Sequence, residues 1–159
     1  MAEFTSIANQ NVLPQLPVIF TENTVPCGRG LIFRRDGSGL FRLASVASYQ
    51  PYYANCGCGC FNMPETMYLV SFHANIAVPT GGTVEPISLA LAIDGEVDPA
   101  TTMIFTPAAV EEYGNVGTEA LIGIPAICGC GSLSVRNTSA QAIDIQNANL
   151  VIDYRGVKY

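Results

Sequence analysis

From Tyr68 to Gly95 the chain reads YLVSFHANIAVPTGGTVEPISLALAIDG, with apolar and polar residues alternating at a period of two. Tyr68, Val70, Phe72, Ala74 and Ile76 fall on one face, and Ser71, His73 and Asn75 on the other. That is the pattern of a strand with one side buried. Pro79 to Thr83 interrupts it with turn residues, and Ile87, Leu89, Leu91 and Ile93 then resume it. The second run ends in Asp94-Gly95, a dipeptide that supplies the positive φ angles of a tight hairpin.

The same reading extends to the rest of the chain. Leu31 to Arg35 and Leu40 to Leu43 flank Asp36-Gly37-Ser38-Gly39 and predict a hairpin. Val12 to Thr21 contains two prolines, which cannot donate to a ladder, and reads as an edge strand. Further strands are expected over Met103–Thr106, Ala120–Ile124, Leu133–Arg136 and Ile143–Tyr154. In the last, Ile143 and Ile145 have one parity and Ala148, Leu150, Ile152 and Tyr154 the other, so a bulge near Gln146-Asn147 is needed to keep one buried face. Residues 45–64 form the least regular section, rich in Tyr, Asn, Gly and Cys. There is no helical periodicity, internal repeat or linker. Eight to ten short strands separated by Gly, Pro, Asn and Asp turns predict an all-β jelly-roll sandwich. The expected organisation is one domain over residues 1–159 with a short N-terminal arm at 1–11.

Composition adds an expectation about partners. Charged residues are 13% of the 159, about half the ~25% usual in soluble domains, while 49% are apolar. So little charge predicts that part of the apolar surface is covered by copies of the same chain. No apolar stretch approaches the ~18 residues of a membrane span, and the polar opening does not read as a secretory signal. Synthesis in a cytoplasm is expected. The net charge of −6 argues against nucleic acid as a partner.

The charge is unevenly placed. Arg29, Arg34, Arg35 and Arg42 sit in one stretch, and no further Lys or Arg occurs until Arg136. These four arginines are either a solvated hairpin or a docking patch for an acidic surface on a neighbouring subunit or partner.

Candidate chemistry is sparse. Six cysteines occupy three places: Cys27, the run Cys56, Cys58 and Cys60, and the pair Cys128 and Cys130. Three readings stand: reduced half-buried thiols, disulfides between segments or subunits, or a thiolate metal site whose spacing is unlike that of zinc fingers. His73, the only histidine, reads as a surface or interface residue. Asp94 to Asp98 reads as a tight turn and not a calcium loop, Glu111-Glu112 as a solvated pair, and Asn137-Thr138-Ser139 as a turn. No nucleophile or acid–base constellation emerges, so an enzyme is not expected, and no cofactor is called for.

Several strands together carry a resemblance. GLFRLAS, MYLVSFHANIAV, ISLALAIDG, SLSVRNTS and IDIQNANLVIDY, in this order over residues 12–155, resemble the tumour necrosis factor and complement globular-head superfamily. The chain is similar also to the trimeric C-terminal domains of collagen-like spore-surface proteins and to small phage or bacterial surface proteins. The resemblance implies a homotrimeric jelly roll that acts as ligand, cap or adhesin and is not an enzyme. The expected function is a structural one: a trimeric unit on the surface of a larger particle, as in a phage capsid decoration or head-fibre protein on a virion. The alternatives are a spore or cell-surface component, and a glycan- or protein-binding module using Tyr49, Tyr52 and Tyr53 as stacking rings.

Overall fold

A computed structural model of the protein describes residues 1–27, 30–35, 37–46 and 64–159. Among these, twelve strands are formed: β1 (Ala2–Ser6), β2 (Gln10–Val12), β3 (Glu22–Val25), β4 (Ile32–Arg35), β5 (Leu40–Ala44), β6 (Glu65–Ala77), β7 (Ile87–Ile93), β8 (Glu96–Val97), β9 (Met103–Phe105), β10 (Gly114–Pro125), β11 (Cys130–Asn137) and β12 (Ile143–Lys158). They make two six-stranded sheets. The first runs β10-β6-β12-β1-β3, with β2 also on β12; the second runs β4-β5-β11-β7-β8, with β9 also on β7. Every pairing is antiparallel. This is the all-β jelly-roll sandwich that the turn spacing predicts. The strand expected over Met103–Thr106 is present as β9, and the count exceeds the expected eight to ten partly because β2 and β8 are only three and two residues long, too short for periodicity to reveal.

The core lies between the sheets and follows the parity of the sequence. Tyr68, Val70, Phe72, Ala74 and Ile76 of β6 are buried against Ile87, Leu89 and Leu91 of β7 and Leu133 and Val135 of β11 in a single cluster. Aromatic rings tie the layers together. Phe4 of β1 lies 4.6 Å from Phe41 of β5, and Phe20 lies 5.4 Å from Phe41 and 6.4 Å from Phe72, in the tilted and edge-on geometries that aromatic pairs prefer.

The bulge in β12 falls where the change of parity requires it. Its register against β6 shifts between Gln146 and Asn149, and Asn147 sits at φ 52°, a left-handed conformation that Asn tolerates better than most residues. Ile143 and Ile145 before it, and Ala148, Leu150 and Ile152 after it, all face the core. The Asp94-Gly95 turn is likewise as expected, with φ angles of 50° and 91° joining β7 to β8.

Two expectations change. Residues 1–11, read as an arm, supply β1 and the start of β2, and β1 is paired on both sides by β12 and β3. Val12–Thr21 is not a continuous edge strand. After Val12 it leaves the first sheet, and the amides of Gln15 and Val18 donate to the carbonyls of Asn137 and Val135 at 2.9 and 2.8 Å, with Pro14 and Pro17 breaking any regular ladder.

Candidate interaction face

The first sheet buries one face in the core and leaves the other outward. Its outward residues can be followed across the strands in rows. Asn115 of β10 is opposite Asn75 of β6, which is opposite Gln146 of β12. The next row is Gly117, His73, Asn149 and Thr5, and the one after it Glu119, Ser71, Val151 and Glu3. Then come Leu121, Leu69 and Asp153, followed by Gly123, Met67 and Gly156.

A sheet face meant for water should be polar along every strand. This one is polar only in its upper rows. Leu121 is 59% exposed and stands directly opposite Leu69, so the two side chains are neighbours. Met67 extends the strip, its sulfur lying 3.4 Å from the position a Cβ on Gly123 would take. Val151, half-buried, adds an apolar group one row above.

The polar rows are organised around side-chain amides. Asn115 Nδ2 donates to Asn75 Oδ1 at 3.1 Å, and Asn149 Nδ2 donates to Glu3 Oε1 at 2.7 Å. Asn149 Oδ1 is buried from solvent and accepts no hydrogen bond among the described residues. Leaving a buried acceptor unmatched costs on the order of 1–3 kcal/mol. His73 is exposed in direct register with Asn149, as its parity predicts. Tyr113, at the approach to β10, titrates above its ordinary value, first because it is desolvated and next because the Asp144 carboxylate is near; hydrogen bonds with Asn9 and Gln146 oppose the shift. On the lower margin Asp153 pairs with the Met1 amino group at 3.2 Å and with Arg155 at 3.4 Å.

The three described cysteines, Cys27, Cys128 and Cys130, belong to a different place, one rim of the sandwich. Cys130 is paired with Ala44 across β11 and β5, and Cys27 packs on the core near Tyr68. Tyr68, fully buried, donates its hydroxyl to the carbonyl of Ala44 at 2.5 Å. Ser45 N donates to Gly129 O at 2.9 Å, Val46 N to Thr66 Oγ1 at 2.8 Å, and Ala126 N to Pro64 O at 3.0 Å. Val46 and Pro64 are thus both anchored beside the turn that carries Cys128, which is exposed. Cys56, Cys58 and Cys60, and with them Tyr49, Tyr52 and Tyr53, lie outside the described residues, as does Arg29. Among the described residues no three His, Cys, Asp or Glu side chains are grouped to hold a metal.

The arginines separate into two kinds. Arg34 points the same way as core-facing Ile32 and donates to the carbonyl of Phe20 at 2.8 Å, so it serves the fold. Arg35 and Arg42 are exposed. Asn137 is also structural. It is fully buried and donates to the carbonyls of Val12 and Gln141, while its Oδ1 accepts from Ser139 N. Glu112 accepts from the amides of Ala108 and Ala109, and Glu111 from Thr80, which makes this acidic pair a loop brace.

Sequence reasoning did not single out Leu69, Met67, Leu121 or Asn149. The available signal was the presence of apolar residues at both parities of β6, which marks a strand covered on both faces.

No protein-family model and no curated protein sequence matches the chain. Solved structures do. The globular domain of zebrafish complement 1qA protein aligns over 98% of both chains with a TM-score of 0.59 at 10% identity. The chain has the jelly-roll fold of that complement globular domain. Eiger TNF from S. frugiperda covers 79% of this chain and 90% of its own at 14% identity with a TM-score of 0.44. A CBM35 from Cellvibrio japonicus aligns over 98% and 96% at 13% identity with a TM-score of 0.40. Within this jelly roll the outward face just described belongs to the sheet built on β6 and β12, the two longest strands. No helix among the described residues is long and apolar enough to cross a membrane.

Proposed function

We propose that the protein is a non-catalytic structural unit that assembles as a homotrimer through the outward face of the β10-β6-β12-β1 sheet and is displayed on the surface of a larger particle, such as a phage capsid or a bacterial spore. The observation that carries the reading is the strip of Met67, Leu69, Leu121 and Val151 on a face that is otherwise polar. Apolar groups held out on a rigid sheet gain free energy when a second copy covers them. The unmatched acceptor of Asn149 supports the same reading, since a donor from a neighbouring copy would satisfy it. Three copies, in place of two, are favoured by the resemblance to trimeric superfamily members. Display on a particle is favoured by the low charge, which suits permanent burial in an assembly better than free solution.

The test is substitution of both leucines with glutamate. Both side chains point away from the core, so Leu69→Glu with Leu121→Glu should leave the far-ultraviolet spectrum unchanged and reduce the assembled species to single chains in light scattering. An assembled double variant would show that another surface makes the contact.

A further inference from the structure

Charge is divided between opposite edges of the second sheet. Its order places β4 at one edge and β8 and β9 at the other. Strands β3 to β5 carry three arginines and a single carboxylate, Glu22, whereas strands β6 to β10 carry no lysine or arginine at all. On the cationic side, Arg35 and Arg42 are exposed, and neither makes an ion pair or a side-chain hydrogen bond among the described residues. Phe33, 53% exposed, stands in direct register with Arg42. An exposed aromatic ring beside two uncommitted guanidinium groups is the composition of an interface anchor.

The acidic side offers its counterpart. Asp94 and Asp98 accept hydrogen bonds from the amides of Ser132 and Ala100, and Glu111 and Glu112 brace their loop, so these are partly spent within the fold. Glu85 and Glu96, at the two ends of β7, are exposed and engaged in none of these bonds. Ile104 on β9 lies between them along the edge and is 65% exposed. Each copy thus carries a cationic edge with an exposed aromatic and an acidic edge with an exposed aliphatic.

We propose that the chain makes a second contact with itself, heterologous and edge to edge, in which Arg35, Arg42 and Phe33 of one copy meet Glu85, Glu96 and Ile104 of another. This goes beyond the trimer and uses a different surface. Because the two patches are different and lie on opposite edges, the contact is not self-closing around a twofold axis. Between units already assembled through the first sheet it propagates, and the product is a surface array. Complementary charge also sets the register and the rate of encounter, both of which weaken as salt rises.

The experiment is sedimentation velocity on the full chain at about 0.02 M and about 0.5 M salt, which shortens the screening length several-fold. The expected result is a large species at low salt that disperses at high salt to one defined unit. The variants R35E/R42E and E85K/E96K should each remain at that unit at low salt, with at least a tenfold loss of association, and an equimolar mixture of the two should associate again. A wild-type chain of equal size at both salts would overturn the proposal, leaving the arginines to some other partner. So would undiminished association of either variant, or failure of the mixture when both variants keep the wild-type circular dichroism and Tm. The size of the high-salt unit reports separately on the trimer, so the two readings fail by different measurements.

Discussion

Removing one oxygen atom tests how the cysteine-bearing rim is held. In Tyr68→Phe the ring keeps its place in the core, where it is fully buried and packs edge-on to Tyr154 at 6.1 Å. What is lost is the donor to Ala44 O at 2.5 Å and to Leu31 O at 3.4 Å, the bonds that join β6 to the end of β5 and the start of β4. A buried hydroxyl-to-carbonyl bond contributes about 1–2 kcal/mol net, so the variant should be less stable by about that much at neutral pH. The pH dependence provides a second, independent magnitude. Desolvation, with smaller contributions from Cys27 and Tyr154, raises the Tyr68 pKa from 10.0 to about 12. Between those values the unfolded chain releases the phenolic proton while the folded chain retains it, so stability falls as pH rises and is fully present only below pH 10. The loss amounts to about 2 kcal/mol by a pH of about 11.5. Urea denaturation of both proteins from pH 7 to about 11.5 is the assay. The wild type should lose its advantage progressively above pH 10, and the two curves should meet. Tyr113 is present in both and cancels from the comparison. Equal alkaline slopes for the two proteins would show that Tyr68 is not held neutral by its burial and bonding.

Other outcomes follow from single residues. Asn137→Ala removes three hydrogen bonds from a fully buried side chain and strands the carbonyls of Val12 and Gln141, so it should destabilise by about 2–4 kcal/mol in the same assay. Arg34→Glu should cost about 1–3 kcal/mol because it abandons Phe20 O, whereas Arg35→Glu should lie within about 0.5 kcal/mol of wild type. Asn147→Val should cost about 1–2 kcal/mol, since a β-branched residue is strained at φ 52°, while Asn147→Gly should be nearly neutral.

The fold was legible wherever local chemistry and burial agreed. The alternation in β6 and β7, the Asp-Gly hairpin and the parity change in β12 each state a backbone requirement in the sequence itself. Strand β10 shows the opposite case. Only Ala120 to Ile124 reads as strand, because Gly114-Asn115-Val116-Gly117 has the composition of a turn; yet those residues continue the ladder along β6 from Ile76 to His73. Tertiary pairing overrides propensity there. β1 is hidden for a similar reason: in Ala2 to Ser6 only Phe4 is large, and its burial depends on Phe41 from the other sheet. Among the candidate residues, the exposure of Arg35, Arg42 and His73 was readable from position. The inward turn of Arg34 was not, since it depends on where the Phe20 carbonyl arrives. The exposed apolar strip is a product of register. Leu121 and Leu69 are distant in sequence and become neighbours only through the β10–β6 pairing.

The central claim is that the isolated chain is a subunit of a trimer. Sedimentation equilibrium of the wild-type protein at about 0.5 M salt, where edge contacts between charges are screened, measures it directly. The account predicts a single species of three times the 16.9 kDa of one chain, unchanged on dilution through the micromolar range. A species of 16.9 kDa under those conditions would contradict it.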